Sequence, residues 1–155
     1  MTPSVDEFWS AFLDGVPDES APDGYDNVFS FGDSPELADE LGALVVAGEK
    51  TATAEARWTF EAEGERAPAP GDYSVVLDGS GDPLCVVETV EVRVVPFDEV
   101  DEAFARDEGE GYESVEEWRE DHWQYFSRTL SAHDRSPTER MPVVCERFRV
   151  VYDGH

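Results

Sequence analysis

Near the start of the chain, Val5, Phe8, Trp9, Phe12 and Leu13 recur at the three- and four-residue intervals of one helical face. Ser4 followed by Glu7 has the spacing of a capping box, and Gly15 and Pro17 end the run, which predicts a first helix. Residues 17–33, rich in Pro, Gly, Asp and Ser, read as a loop with Val28, Phe29 and Phe31 tucked in. Ser34 as N-cap and Pro35 in the first turn open a second helix. Its stripe of Leu37, Leu41, Leu44 and Val45 faces a core, and Gly48 stops it. Glu49 to Trp58 reads as a turn leading into an extended segment.

Beyond the loop Pro68–Asp72 the period changes to that of strands. Tyr73–Leu77, the turn Asp78–Asp82 and the long β-rich run Leu84–Val95 form a hairpin closed by Pro96. Val100, Ala103 and Phe104 predict a short helix that breaks at Gly109 and Gly111. Ser114 and Glu117 form another capping box, opening a helix with Val115, Trp118, His122, Tyr125 and Phe126 along one side. Val143–Tyr152 alternates as a terminal strand. There is no internal repeat and no second domain. Helices segregated from antiparallel strands make an α+β fold, with a small closed or nearly closed β-barrel favoured because barrels remove sheet edges.

Composition adds a core and a milieu. At 155 residues, 40% of them hydrophobic, the chain is one domain able to bury a core. The acidic N-terminus and the short apolar run Ala43–Ala47 predict no signal peptide and no membrane span, hence a cytoplasmic protein. Thirty-seven acidic residues against 11 basic ones give a net charge of −26, scattered and not gathered in a tail. Such self-repulsion weakens a compact state at ordinary ionic strength, and molar salt shortens its range to about 3 Å. That points to a salt-adapted organism. Lysine has been reduced to one residue, Lys50, against ten arginines, so Lys50 has a reason to remain. Cys85 and Cys145 lie in apolar runs with no metal-ligand spacing near them and read as reduced core cysteines. No metal and no cofactor is expected, and no oligomeric state is indicated.

Several segments together resemble the ASCH domain family. Gly48-Glu49-Lys50-Thr51-Ala52-Thr53 is similar to the family's G-x-K-x-x-T motif, and Pro70-Gly71-Asp72 stands before a strand as in its barrel. Pro96–Val100, Phe104–Gly111 and Trp118–His122 resemble a subgroup with long inserted helices. The resemblance runs over roughly residues 28–152. It implies a PUA-like small antiparallel β-barrel with flanking and inserted helices, a single domain over 1–155 on which the N-terminal helix and loop (1–33) pack. It also implies an RNA-linked role with a nucleoside, nucleotide or RNA as ligand. Some small members are amidohydrolases that deacetylate N(4)-acetylcytidine with a Lys, a Thr and a Glu. Lys50 and Thr53 match that motif, and Glu108 is the best match by position, with Glu110 its rival. The alternative is a non-catalytic RNA-binding module.

Amide hydrolysis needs an activated nucleophile and donors for the oxyanion. A desolvated Lys50 could deprotonate Thr53 while Glu108 orients the amine, provided the chain turns between positions 50 and 53. The plain alternatives are a surface ion pair for Lys50, an ordinary strand threonine for Thr53 and a solvated acid for Glu108. Arg57 and Trp58 could offer a charge and a stacking surface, Arg119 a cation for phosphate, and His122 a ligand contact. Core roles for Trp58 and His122 are the alternatives. Net negative charge disfavours a broad RNA track, because general affinity comes from neutralising phosphates.

Overall fold

In the computed structural model, which describes residues 2–154, Ser4 caps the first helix, α1 (Val5–Asp14), through the reciprocal bonds of a capping box with Glu7. Ser34 caps α2 (Pro35–Val46) by a single bond, its side chain accepting from Leu37 N. The remaining helices are α3 (Arg57–Glu63), α4 (Glu102–Asp107) and α5 (Val115–Ser131). Five strands, β1 (Asn27–Phe29), β2 (Ala52–Ala56), β3 (Tyr73–Leu77), β4 (Pro83–Pro96) and β5 (Pro142–Tyr152), form one sheet in the order β1-β3-β4-β5-β2. The sheet curls into a half-barrel, the α+β architecture expected.

The curl has a local cause. Strand β4 pairs with β3 through its first half and with β5 along most of its length. Its register against β5 shifts between Val86 and Val87 and again between Thr89 and Glu91, and such bulges bend a strand and increase its twist. Three apolar clusters hold the helices on. Helix α1 sets Phe8, Trp9 and Phe12 against Val75 and Val86 on one face of the central strands, while α2 sets Leu41 and Val45 against Val76, Cys85 and Val87 on the other. At the far end α4 and α5 cover β2 and β5 with Phe104, Trp118, Phe126 and Leu130.

Two elements differ from the expectation. Residues 27–29, read as loop, form a strand, and it runs parallel to β3 in an otherwise antiparallel sheet. Three residues are too few to show alternation. What holds them is outside the strand: Asp26 takes Tyr73 N on its carboxylate and gives its own N–H to Tyr73 O. The extended segment expected to reach Trp58 ends at Ala56, and Arg57 begins α3 without a connecting loop. No side chain caps that helix, so no cap residue announces it.

Both cysteines are free and buried on strands. Burial pushes each thiol up to about 12. A thiol-specific reagent should therefore leave the folded protein unlabelled and modify both cysteines once it is unfolded; labelling of the native state would contradict this packing.

Candidate functional site

Lys50 lies just past the C-terminus of α2, where Gly48 takes a left-handed turn and both Glu49 N and Lys50 N bond back to Leu44 O. The lysine is 2% exposed. Its Nζ donates to Ala52 O at 2.8 Å, to Glu110 Oε2 at 2.6 Å and to Glu108 O at 3.4 Å, and stands 3.6 Å from Glu108 Oε2. An ammonium has three hydrogens, and three acceptors take them. A neutral amine would leave one acceptor unserved.

Glu108 ends α4 and is 1% exposed. Trp118 Nε1 donates to its Oε1 at 3.0 Å and His122 Nε2 lies 3.2 Å from its Oε2. The imidazole stacks on the Trp118 indole one turn earlier in α5, with centroids 4.1 Å apart. His122 Nδ1 faces the Trp118 carbonyl oxygen at 3.0 Å, which can only accept. Both ring nitrogens thus face acceptors, so the ring is doubly protonated when Glu108 is ionised. With Glu110 ionised as well, the group is a neutral quartet: Lys50 and His122 against Glu108 and Glu110.

Burial alone would push the Glu108 carboxyl up, but the charges of His122 and Lys50 override it and hold the group down at about 2. Burial pushes Glu110 up, and Glu108 adds to this, while Lys50 opposes it. For His122, burial lowers the proton affinity, and the Glu108 charge and hydrogen bond more than offset it, leaving a raised value. The chain can reach this geometry because Gly109, at φ +67°, has no side chain. An added Cβ would drive into the Glu49 carbonyl. Residues 108–110 therefore lie against the Lys50 backbone and set a carboxylate on either side of its amine. Thr51 N and Oγ1 both donate to Asp107 O and fasten the same contact.

Beside this cluster lies a cleft of about 520 Å³. Its walls come from both sheet edges, with Phe29 of β1 and Thr53 and Glu55 of β2, and from Ser74, Tyr125 and Glu146 between them. Phe31 is on its wall, and its ring lies 5.7 Å from Lys50 Nζ, between the cleft and the buried quartet. Glu55 accepts from Tyr125 OH and Ala56 N, and Glu146 accepts from Thr89 Oγ1. Burial raises both carboxyls. Six carboxylates line the cleft against one cation, Arg66, which already pairs with Asp72 and Asp26.

The structure brings Lys50, Glu108, Glu110 and His122 together. Thr53 stands apart on the cleft wall, since Ala52, Ala54 and Ala56 face the core and Thr53 and Glu55 face away from it. Arg57 is half exposed and pairs with Glu61, and Trp58 packs on the core with the Arg135 guanidinium 4.2 Å over its ring. Arg119 donates to the Asp98 and Val100 carbonyls, which ties α5 to the segment after β4. None of these three residues lines the cleft. Glu55, Glu146 and Ser74 were not foreseen. The alternation of alanine with polar residues over 52–56 was a signal for Glu55; Ser74 and Glu146 need the strand register.

The ASCH domain family model matches residues 27–152. A protein from Enterococcus faecalis V583 is 35% identical, with 96% of this chain and 88% of that one superposed at a TM-score of 0.87. An ASCH domain from Lactobacillus crispatus JV V101 is 31% identical, over 94% of this chain and 92% of that one, at 0.86. An ASCH protein from Zymomonas mobilis shares the fold at 13% identity, over 79% and 65% of the two chains, at 0.50. No curated protein matches.

Replacing Lys50 by Met should destabilise the fold by about 3–5 kcal/mol, measured by denaturant unfolding in high salt, because it leaves buried carboxylates without their cation. Gly109→Ala should cost about 1–2 kcal/mol from the left-handed backbone alone, with the clash in addition. The quartet also sets a pH profile. Glu108, lowered, stabilises the fold above its ordinary range and loses that contribution as pH falls towards 2. His122, raised, contributes fully below about 6.5 and loses its contribution as pH climbs through its raised value. The difference in stability between wild type and His122→Gln should therefore be greatest on the mildly acidic side of neutral and shrink in alkali. A difference that grows in alkali would refute the charged imidazole.

Proposed function

Because this chain belongs to the ASCH domain family, we propose that it binds an RNA-derived ligand of nucleoside size in the cleft between its two sheet edges. The observation that carries this reading is the cleft itself. Its volume lies within the range of small-molecule sites, about 300–1,000 Å³, and its walls mix aromatic surface with hydroxyls and carboxylates. The acid-rich lining disfavours phosphates, so a nucleoside or a single exposed base suits it better than a charged RNA track. Phe31 and Tyr125 offer surface for a base ring.

A second reading, hydrolysis of an acylated pyrimidine nucleoside such as N(4)-acetylcytidine, is favoured by one arrangement. The Thr53 hydroxyl is on the cleft wall, and the carbonyl one residue before it, Ala52 O, is hydrogen-bonded to Lys50. Thr53 would be the nucleophile, with Lys50 as its base and Glu108 holding the amine. Lys50 would first have to shed a proton, and with it one of its three acceptors. Binding is therefore the better-supported reading, and turnover is the added claim.

The acidity of the chain is read as adaptation to a high-salt cytoplasm, supported by 37 acids against 11 bases and by the retention of one lysine at a buried position.

Titrating the protein with N(4)-acetylcytidine in molar salt should show saturable binding that Thr53→Ala weakens. If the enzyme reading holds, deacetylation should fall by about 100-fold or more in both Thr53→Ala and Lys50→Met. A wild type that ignores the nucleoside but binds single-stranded RNA would instead make the chain a non-catalytic RNA-binding module. Dialysis into low salt should lower the unfolding midpoint, and indifference to salt would remove the salt-adaptation claim.

A further inference from the structure

Register places Thr53 of β2 directly opposite Glu146 of β5. Side chains of such a pair share one face of the sheet at about 5 Å between Cβ atoms, so the carboxylate stands beside the Thr53 hydroxyl on the cleft wall. Glu55 is two residues further along the same face. The two carboxylates are not equivalent. Glu55 is engaged at both oxygens, Oε1 by Ala56 N and Oε2 by Tyr125 OH. Glu146 is engaged at Oε2 alone, by Thr89 Oγ1 at 2.6 Å. That bond orients the carboxylate and leaves Oε1 with full accepting capacity.

Asn27 lines the cleft from the opposite sheet edge and keeps an amide that can donate, whereas the hydroxyls do not counter the bias. Ser74 is 6% exposed, lines the cleft, and makes no side-chain hydrogen bond to another described residue. Thr59 Oγ1, also on the wall, is sealed and without a partner. The Ser74 hydroxyl can donate or accept, so it accommodates either kind of ligand edge, while the sealed Thr59 hydroxyl meets neither. The single cation, Arg66, is spent on Asp72 and Asp26. Beside Thr53, what decides between a donating and an accepting edge is Glu146, since Glu55 is engaged at both oxygens, while Glu63 and Glu65 are exposed.

We propose that the cleft selects nucleosides whose base presents an exocyclic amino group, with Glu146 Oε1 as the acceptor that reads it beside Thr53. Glu146 is thus a specificity-determining residue. A base presenting a carbonyl at the same position sets its lone pairs against those of the carboxylate and loses the contact. This rests on the nucleoside-binding reading of the cleft and adds to it the class of base.

Cytidine and uridine form the matched probes, being alike in size and sugar and differing at the amino or carbonyl group. Calorimetric titration of the full chain in molar salt at mildly alkaline pH should show cytidine bound about tenfold or more tightly than uridine. Glu146→Gln, whose amide can donate to a carbonyl, should narrow or reverse that preference. Equal affinity of the wild type for both nucleosides would overturn the inference and leave nucleoside binding standing. Binding of neither would overturn the nucleoside reading and the inference with it. An unchanged preference in Glu146→Gln would remove Glu146 from the role. Should that variant fail to fold, Thr89→Ala keeps the carboxylate and removes the hydroxyl that orients it. A reduced preference supports the assignment, and an unchanged one overturns it.

Discussion

A single ammonium group organises this molecule. Lys50 Nζ is closed off from water and has one acceptor for each of its hydrogens, drawn from β2, from the end of α4 and from the loop that follows. Burying a charge is costly unless every partner is in place, so the lysine constrains all three segments at once. Glu108, one of its two counter-charges, makes a second set of demands, met by an indole N–H and an imidazolium on α5. The inserted helices are therefore bound to the sheet by polar matching as well as by the apolar packing around Trp118 and Phe126. Satisfied networks of this kind specify one arrangement, because any alternative leaves a buried group unpaired.

Much of the fold was legible from local chemistry. Helices α1, α2 and α5 carry Ser caps and apolar stripes, and their starts lie where Ser4, Ser34 and Ser114 place them. The hairpin β3–β4 and the final strand follow from alternation and turn residues. The two missed elements lack such marks. Strand β1 is fixed by Asp26 reaching to Tyr73, a contact 47 residues away, and α3 starts without a capping side chain directly after a strand. Long-range pairing and tertiary context decide both.

The site was legible in a different sense. The scarcity of lysine singles out Lys50, and the family resemblance points to Glu108; the structure sets Glu110 and His122 beside them. Gly109 lets the chain fold both Glu108 and Glu110 around the amine. Thr53, expected beside Lys50 if the chain turned between them, lies instead on the cleft wall, on the face of β2 away from the core. Ser74 and Glu146 escaped notice because a carboxylate or hydroxyl in a strand has no distinctive local pattern. Their neighbours are set by register alone.

The sheet order has a consequence for the order of events during synthesis. Strand β2 has one partner in the sheet, β5, and β5 is the last element made. The carboxylates that neutralise Lys50 lie about 60 residues after it. A nascent chain that has exposed the first two-thirds of its length therefore holds a bare strand and an uncompensated lysine, with no local means of completing either. Closure must therefore wait for β5, so the β2 edge and the charge on Lys50 are completed by the later part of the domain.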